Sequence, residues 1–239
     1  MRRAGGDSYK LLSVKIALFV CLMVAGWSLA KSGDPIASSN KMVLLTQAKI
    51  ILTDSDTPPP DSAAWQTQLL PDNWNNSRPG IGGFAWYRIE FDLKPQQLML
   101  SALYVPRISM NGAVMINGRY LVGGGNFTEP MTRQWYRPQF FSVPDTFLKI
   151  GSNVIHYRIK AYPNNKGGLS EIHFGLAELI DKMWQKRYFW QVTGVQITSA
   201  LNFSLGIIAI LAWFLWPKNT EYGYFGAAAL LWAGHCMHY

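Results

Sequence analysis

Apolar and polar residues alternate along the middle of the chain with the period of a β-strand. In Trp86–Leu93 (WYRIEFDL), Tyr87, Ile89, Phe91 and Leu93 fall on one face, and Trp86, Arg88, Glu90 and Asp92 on the other. Successive side chains of a strand point to opposite sides, so this pattern predicts a strand with one buried face. Asn153–Ala161 (NVIHYRIKA) alternates in the same way. Shorter stretches at Met42–Leu45, Lys49–Leu52, Leu98–Val105, Ala113–Ile116, Arg119–Val122, Arg137–Val143 and Ile172–Leu176 complete the predicted strands. Asn117-Gly118 supplies a hairpin turn, because a type I′ turn needs positive φ at both central residues. Ile150–Asn153 reads as the turn ahead of the second long strand. Thr57–Asp61 contains three consecutive prolines and is a loop. Ala63–Leu70 reads as a short helical turn, and Pro71–Gly83, rich in Asn, Gly and Pro, as a long loop. Between Gly83 and Leu169 no helix longer than about two turns is indicated. Many short strands separated by turn residues make the fold mostly β, a sandwich or barrel.

The two ends of the chain follow another logic. Arg2, Arg3, Lys10 and Lys15 precede the apolar run Ile16–Trp27, and Ser28-Leu29-Ala30 follows it. A basic start, a short apolar run and a small-x-small site have the layout of a secretory signal. Residues 1–30 are therefore expected to be a signal peptide or an N-terminal anchor. The run is shorter than the roughly 20 residues that span a bilayer, which favours cleavage after Ala30. Either reading exports the strand-rich region, residues 31–182, as an extracytoplasmic β-sandwich. Near the other end, Asp181–Trp190 is charged and aromatic and suits a membrane interface. From Gln191 to Trp216 there is no Asp, Glu, Lys or Arg. As a helix this run is about 39 Å long, enough for a hydrocarbon core of about 30 Å. It is read as a transmembrane helix over 191–216, followed by a turn at Pro217–Thr220. A second transmembrane helix over 221–239 is expected to be truncated by the end of the chain. Gln196, Thr198, Asn202 and Ser204 are expected to face neighbouring helices, and Gly226, Ala227, Ala228, Ala229 and Gly234 to allow close packing. Lys182, Lys186 and Arg187 then lie on the outer side, against the positive-inside tendency. The assignment stands because a long translocated domain is oriented mainly by the first segment.

Composition narrows the function. Charged residues make up 15% of the chain, against about 25% in ordinary soluble proteins, which agrees with apolar spans. The net charge of +8 is scattered rather than clustered, so nucleic acid is not an expected partner. The two cysteines, Cys21 and Cys236, both lie in apolar segments, which leaves no disulfide framework and no cysteine metal site. His156 and His173 are the histidines of the exported domain; without a third ligand or an H-E-x-x-H pattern, no metal and no cofactor are expected. Glu90, Asp92, Glu129 and Glu171 show no pairing of the kind glycoside hydrolysis needs, so no catalytic residue is assigned. Gly123–Asn126 lacks the Lys-Ser/Thr of a phosphate loop and reads as a hairpin connection. His235 and His238 sit in the second apolar span, where ionisable groups are candidates for function or for the interface.

Ligand binding is the better expectation. Sugars are held by aromatic faces together with planar hydrogen-bonding groups. Trp74, Asn75, Arg78, Asn126, Trp135, Tyr136 and Arg137 lie in or beside long loops, which carry function on rigid sandwiches. Each tryptophan equally suits a core position. On the binding reading, Trp74→Ala and Arg78→Ala weaken a ligand response while the domain stays folded.

Four groups of residues carry a resemblance: Trp86-Tyr87-Arg88-Ile89, Gly112–Gly118, Leu121-Val122-Gly123 and Leu148–Ile155. In order and spacing, over roughly Trp65–Leu176, they resemble the galactose-binding-like jelly roll, which includes the sugar-binding domain of family 2 glycoside hydrolases. The full layout resembles bacterial membrane sensors in which such a domain precedes a seven-transmembrane-type region; Leu70–Asn75 and Pro79-Gly80 are similar to those sensors as well. The resemblance implies a jelly-roll β-sandwich plus α-helical transmembrane segments. It also implies an inner-membrane location with residues about 31–190 in the periplasm or outside the cell, and a homodimer. A histidine kinase or diguanylate cyclase (GGDEF) output would lie beyond this chain. Implied partners are membrane lipid, a small-molecule or carbohydrate ligand, and an envelope protein. The alternatives are a membrane-tethered carbohydrate-binding module of a hydrolase and a non-catalytic envelope docking protein.

Overall fold

The structure is a computed structural model and describes residues 42–95, 100–134, 137–164 and 167–236. The signal or anchor segment, Trp135, Tyr136 and His238 lie outside the described residues. The alternation read from the sequence becomes two antiparallel sheets. The strands are β1 (Met42–Leu45), β2 (Gln47–Leu52), β3 (Gln66–Leu69), β4 (Gly83–Leu93), β5 (Ser101–Val105), β6 (Asn111–Ile116), β7 (Arg119–Gly123), β8 (Gln139–Val143), β9 (Gly151–Ala161) and β10 (Ile172–Leu176). One sheet has the order β1-β10-β5-β8 and the other β3-β2-β4-β9-β6-β7. The protein is thus mainly β, with a β-sandwich as its folded body.

The long pair β4–β9 is the spine, in register from Gly83↔Ala161 to Leu93↔Gly151. Tyr87, Ile89, Phe91 and Leu93 point inward with Ile155, Tyr157 and Ile159, and they meet Leu103, Val105 and Phe174 of the other sheet. The Phe91 and Phe174 rings lie 4.7 Å apart between centroids. Burial of these side chains from both sheets supplies the main drive to fold, roughly 1.5–3 kcal/mol for each large one. Asn117 and Gly118 take φ of 50° and 77°, the positive values the hairpin needs.

Two local expectations are corrected. Ala63–Leu70 contains no helical turn; Gln66–Leu69 is a strand on the edge of β2, with Gln47↔Leu69 in register. The segment is too short to bury a helical stripe, so its backbone groups find partners on the open edge instead. Ile150–Asn153 is not only a turn, because β9 already starts at Gly151, whose φ of +87° a glycine adopts freely. The loop Pro71–Gly83 holds one helical turn, α1 (Trp74–Ser77), capped by the Asn73 side chain.

After β10 the chain turns into helix α2 (Ala177–Tyr188), a π-turn at Phe189–Thr193, and helix α3 (Gly194–Leu215). Ala177–Leu215 forms one helical run of 39 residues, long and apolar enough to cross a membrane. Leu201, Ile208, Leu211 and Phe214 stay exposed along it. Helix α4 (Thr220–Cys236) packs back on α3, with Ser199, Gly206 and Ala209 against Gly226, Ala229 and Ala233. At Gly206 and Gly226 the backbones come so close that a Cβ on Gly226 would lie 2.9 Å from the Gly206 carbonyl oxygen. The small-residue expectation therefore holds for Gly226 and Ala229, while Ala227, Ala228 and Gly234 face outward. Thr198, Asn202 and Ser204 are corrected: they donate to the carbonyls of Gly194, Thr198 and Ala200 on their own helix. Ser199 is the residue that crosses, donating 2.9 Å to the Ala233 carbonyl.

Candidate functional site

Strand register gathers four loops at one end of the sandwich. β4 starts where β9 ends (Gly83↔Ala161), and β6 starts where β7 ends (Ala113↔Gly123). The connections 70–82 and 106–110 and the described parts of 124–138 and 162–171 meet there. Their backbones are stitched together: Trp74 N–H donates to Gly167 O, Ser109 N–H to Gly168 O, and Gln134 N–H to Met110 O.

The first group of expected ligand contacts turns out to organise this end from inside. Trp74 is 1% exposed and belongs to the core. Its indole N–H donates 2.7 Å to the Tyr87 hydroxyl, which donates 2.6 Å to Asp72 Oδ2. Arg78 donates 2.8 Å to the same oxygen and 2.9 Å to Gln68 Oε1, and Ser77 donates 2.6 Å to Asp72 Oδ1. Burial, and then the Asp72 charge, hold the Tyr87 phenol well above its ordinary range, so it stays a donor. Trp74 is thus corrected from a ligand contact to a member of a buried polar network, into which the half-buried Arg78 is tied. A tryptophan whose faces and N–H are already occupied has nothing to offer a sugar. Asn75 is exposed on α1.

Of the second group, Asn126 and Arg137 are described, and both lie in the loop between β7 and β8. Asn126 is exposed, and its side-chain oxygen accepts from the Thr128 backbone and hydroxyl, forming a local turn. Arg137 stands on the rim of a cleft of about 390 Å³ between this loop and helix α2. That volume is within the usual range for small-molecule sites. Arg133 and Gln134 line one side, and Phe140, Trp184 and Tyr188 the other. The aromatic wall is a stack: Phe140 to Trp184 at 5.7 Å and Trp184 to Tyr188 at 4.9 Å between centroids. The Trp184 indole N–H is held by the Pro138 carbonyl at 2.9 Å, which fixes the ring. Among the described residues lining the cleft, none is acidic. Two guanidinium groups and an aromatic stack lining one cleft can hold a polyhydroxylated or anionic small molecule.

Trp184 and Tyr188 were assigned from sequence to a membrane interface. The missed signal is the spacing Ile180, Trp184, Tyr188, an i, i+4 stripe that packs a helix on a sheet. Ile180 is fully buried against Ala102 and Tyr104. Helix α2 therefore crosses the outer face of the four-stranded sheet and ends beside the loop cluster.

His156 and His173 ionise reluctantly. His156 lies between Trp65 and Trp86, and burial pulls its pKa down, with Arg88 adding to the effect and Asp61 opposing it. His173 stacks on Tyr104 and is lowered by burial and by Arg187, with Glu171 opposing. Both imidazoles thus have folded pKa values below the unfolded value of about 6.5. The stability they contribute is present above that value and is lost as pH falls through the folded pKa. Chemical denaturation between pH 7.5 and 5 is expected to show stability falling with acid, and His156→Gln with His173→Gln is expected to flatten that slope. An unchanged slope in the double variant would refute the assignment. Among the described residues no group of three His, Cys, Asp or Glu side chains is placed to hold a metal ion.

No family model and no curated protein matches the chain. Solved structures similar to it include a glycosyl hydrolase family 2 member from Bacteroides cellulosilyticus, at 16% identity over 56% of this chain and 20% of that chain, with a TM-score of 0.45. A β-glucuronidase from Ruminococcus gnavus aligns at 16% identity over 60% of this chain and 31% of that one, with a TM-score of 0.46. A β-glycosidase from Bacteroides vulgatus aligns at 16% identity over 56% and 20%, with a TM-score of 0.44. The chain spans less than a third of the length of these enzymes.

Proposed function

We propose that the chain is the extracytoplasmic ligand-sensing input module of a bacterial membrane receptor, with a galactose-binding-like jelly roll as its sensor. A histidine kinase or diguanylate cyclase output would lie beyond this chain. Residues about 31–190, which include the sandwich domain 31–182, stand outside the inner membrane, and α3 and α4 are the first spans of the membrane region. The receptor works as a homodimer. One observation carries this reading: the cleft has the sandwich as one wall and α2 as the other, and α2 continues without a break into the apolar helix. A molecule held between Arg137 and Trp184 touches both parts. It favours whichever helix position lets both walls close on it, and that difference in affinity is what shifts a two-state receptor.

The test uses the whole chain in lipid nanodiscs and a panel of neutral mono- and disaccharides. Arg137→Ala, at the exposed rim, is expected to change unfolding free energy by no more than about 0.5 kcal/mol. It is expected to weaken saccharide binding, read by calorimetry, by about tenfold. A spin label at Gln185 is expected to change mobility on binding. Binding that is indifferent to Arg137→Ala removes the cleft from consideration. Binding without any change at Gln185 favours the other reading, a membrane-tethered carbohydrate-binding module.

A further inference from the structure

The outer face of the six-stranded sheet breaks the rule that outward residues of an exposed sheet are wet. Trp86 and Arg88 on β4 and His156, Arg158 and Lys160 on β9 point away from the sandwich core, yet Trp86 and Arg158 are buried. The segment 53–65 between β2 and β3 covers them. Thr53 N–H donates to the Phe84 carbonyl at 3.1 Å, and the Trp86 indole donates to the Ser55 carbonyl at 3.0 Å. This strap is acidic and proline-rich, and two of its carboxylates meet the two arginines beneath. Asp56 Oδ1 lies 2.6 Å from Arg158 Nη1, and Asp61 Oδ1 lies 3.1 Å from Arg88 Nε. Arg158 also donates to the Asp54 carbonyl at 3.2 Å, and Arg88 also pairs with Glu90.

The asymmetry of these pairs is informative. The arginine side chains are 9% and 12% exposed, while their aspartate partners are 89% and 79% exposed. An ion pair with one freely solvated partner adds little stability, while taking a guanidinium out of water has a desolvation cost. Arg158 is set 4.4 Å from the Phe84 ring centroid and 5.3 Å from that of Phe127. Its Nε–H and both His156 nitrogens are buried with no hydrogen-bond partner. Exposed ion pairs by themselves do not account for two cations, an orphaned donor and aromatic faces gathered under an acidic cover. Recognition does: the constellation is what a ring-shaped ligand bearing a carboxylate requires.

We propose that this face is a second binding site, for a carboxylated saccharide, and that Asp56 and Asp61 of the strap occupy it as internal competitors until such a ligand displaces them. None of these residues lines the cleft, so the site goes beyond the reading above and does not depend on it. The ligand carboxylate takes the place of Asp56 on Arg158, a second acceptor meets Arg88 as Asp61 leaves, and the sugar face lies on Trp86 as the strap lifts.

The experiment uses the whole chain in nanodiscs, with trigalacturonate as the probe and galactose as its neutral counterpart, read by calorimetry and by tryptophan fluorescence. Asp56→Asn with Asp61→Asn keeps the shape and hydrogen-bonding capacity of the strap but removes the competing charges. It is expected to bind trigalacturonate about tenfold more tightly than the parent, with galactose binding unchanged. Arg88→Gln added to that double variant removes one recognition cation, and its remaining partner Glu90 is half-exposed and paired with Lys49. It is expected to abolish the gain while circular dichroism shows the native fold. Equal affinity in the parent and the Asp→Asn variant, absence of trigalacturonate binding in both, or tight binding that survives Arg88→Gln would each overturn the proposal. Arg137→Ala leaves this response intact, so failure of the cleft reading and failure of this one are told apart.

Discussion

Asp72→Ala is expected to cost about 3–5 kcal/mol of folding free energy, because it strips the counter-ion from a buried guanidinium. The Asp72 side chain is fully buried and collects hydrogen bonds from Ser77, Arg78 and Tyr87. Without it, the Arg78 charge and the Tyr87 hydroxyl lose their acceptor together inside the protein, and neither regains water. Denaturant unfolding followed by tryptophan fluorescence is the measurement. Asp72→Asn keeps an acceptor and should cost less. Arg78→Leu added to Asp72→Ala should recover part of the loss, since the orphaned charge is then gone. A loss below about 1 kcal/mol in Asp72→Ala would mean that the network is solvated and the account of it wrong.

Trp74→Ala is expected to cost a comparable amount, about 3–5 kcal/mol, as for other large aromatic side chains removed from a core. The ring fills the space between the loop 70–83 and β4, and its N–H is the donor to the Tyr87 hydroxyl. Gly168 shows how tightly this corner is packed: a Cβ there would sit 2.0 Å from the Asp72 carbonyl oxygen. Asn75→Ala, one residue on and exposed, should change stability by less than about 0.5 kcal/mol. The contrast corrects the expectation that Trp74→Ala leaves a folded domain with a weakened ligand response. Loss of response in that variant reports loss of the loop scaffold, so Arg137 is the residue that can test binding at this end.

The sandwich was legible where one residue's neighbours in sequence decide its face. Tyr87, Ile89, Phe91 and Leu93 alternate with charged residues, and a strand has no other way to bury all four. Asn117-Gly118 names its own turn, because positive φ is a local property. The uncharged stretch after Gln191 announced an apolar helix for the same reason: its composition is a local quantity. Ala63–Leu70 was misread because an edge strand is made by the partner that offers it hydrogen bonds, and β2 is not visible from within that segment.

The candidate sites depend on distances in space that no spacing in the chain encodes. A tryptophan in an Asn-rich loop looks the same whether its ring meets a sugar or a core, and Tyr87, 13 residues away, made it core. The cleft exists because α2 folds back over the four-stranded sheet and brings Trp184 to Pro138, 46 residues earlier. Arg88 and Arg158 read as outward strand residues and are outward, but only the folded strap makes them buried and paired. Periodicity, turns and apolar length are summed over neighbours along the chain, so the sequence alone determined the strands, the hairpin and the apolar helix. Burial and charge pairing are summed over neighbours across it, so the tertiary structure alone decided which aromatic rings are core and which cations are covered.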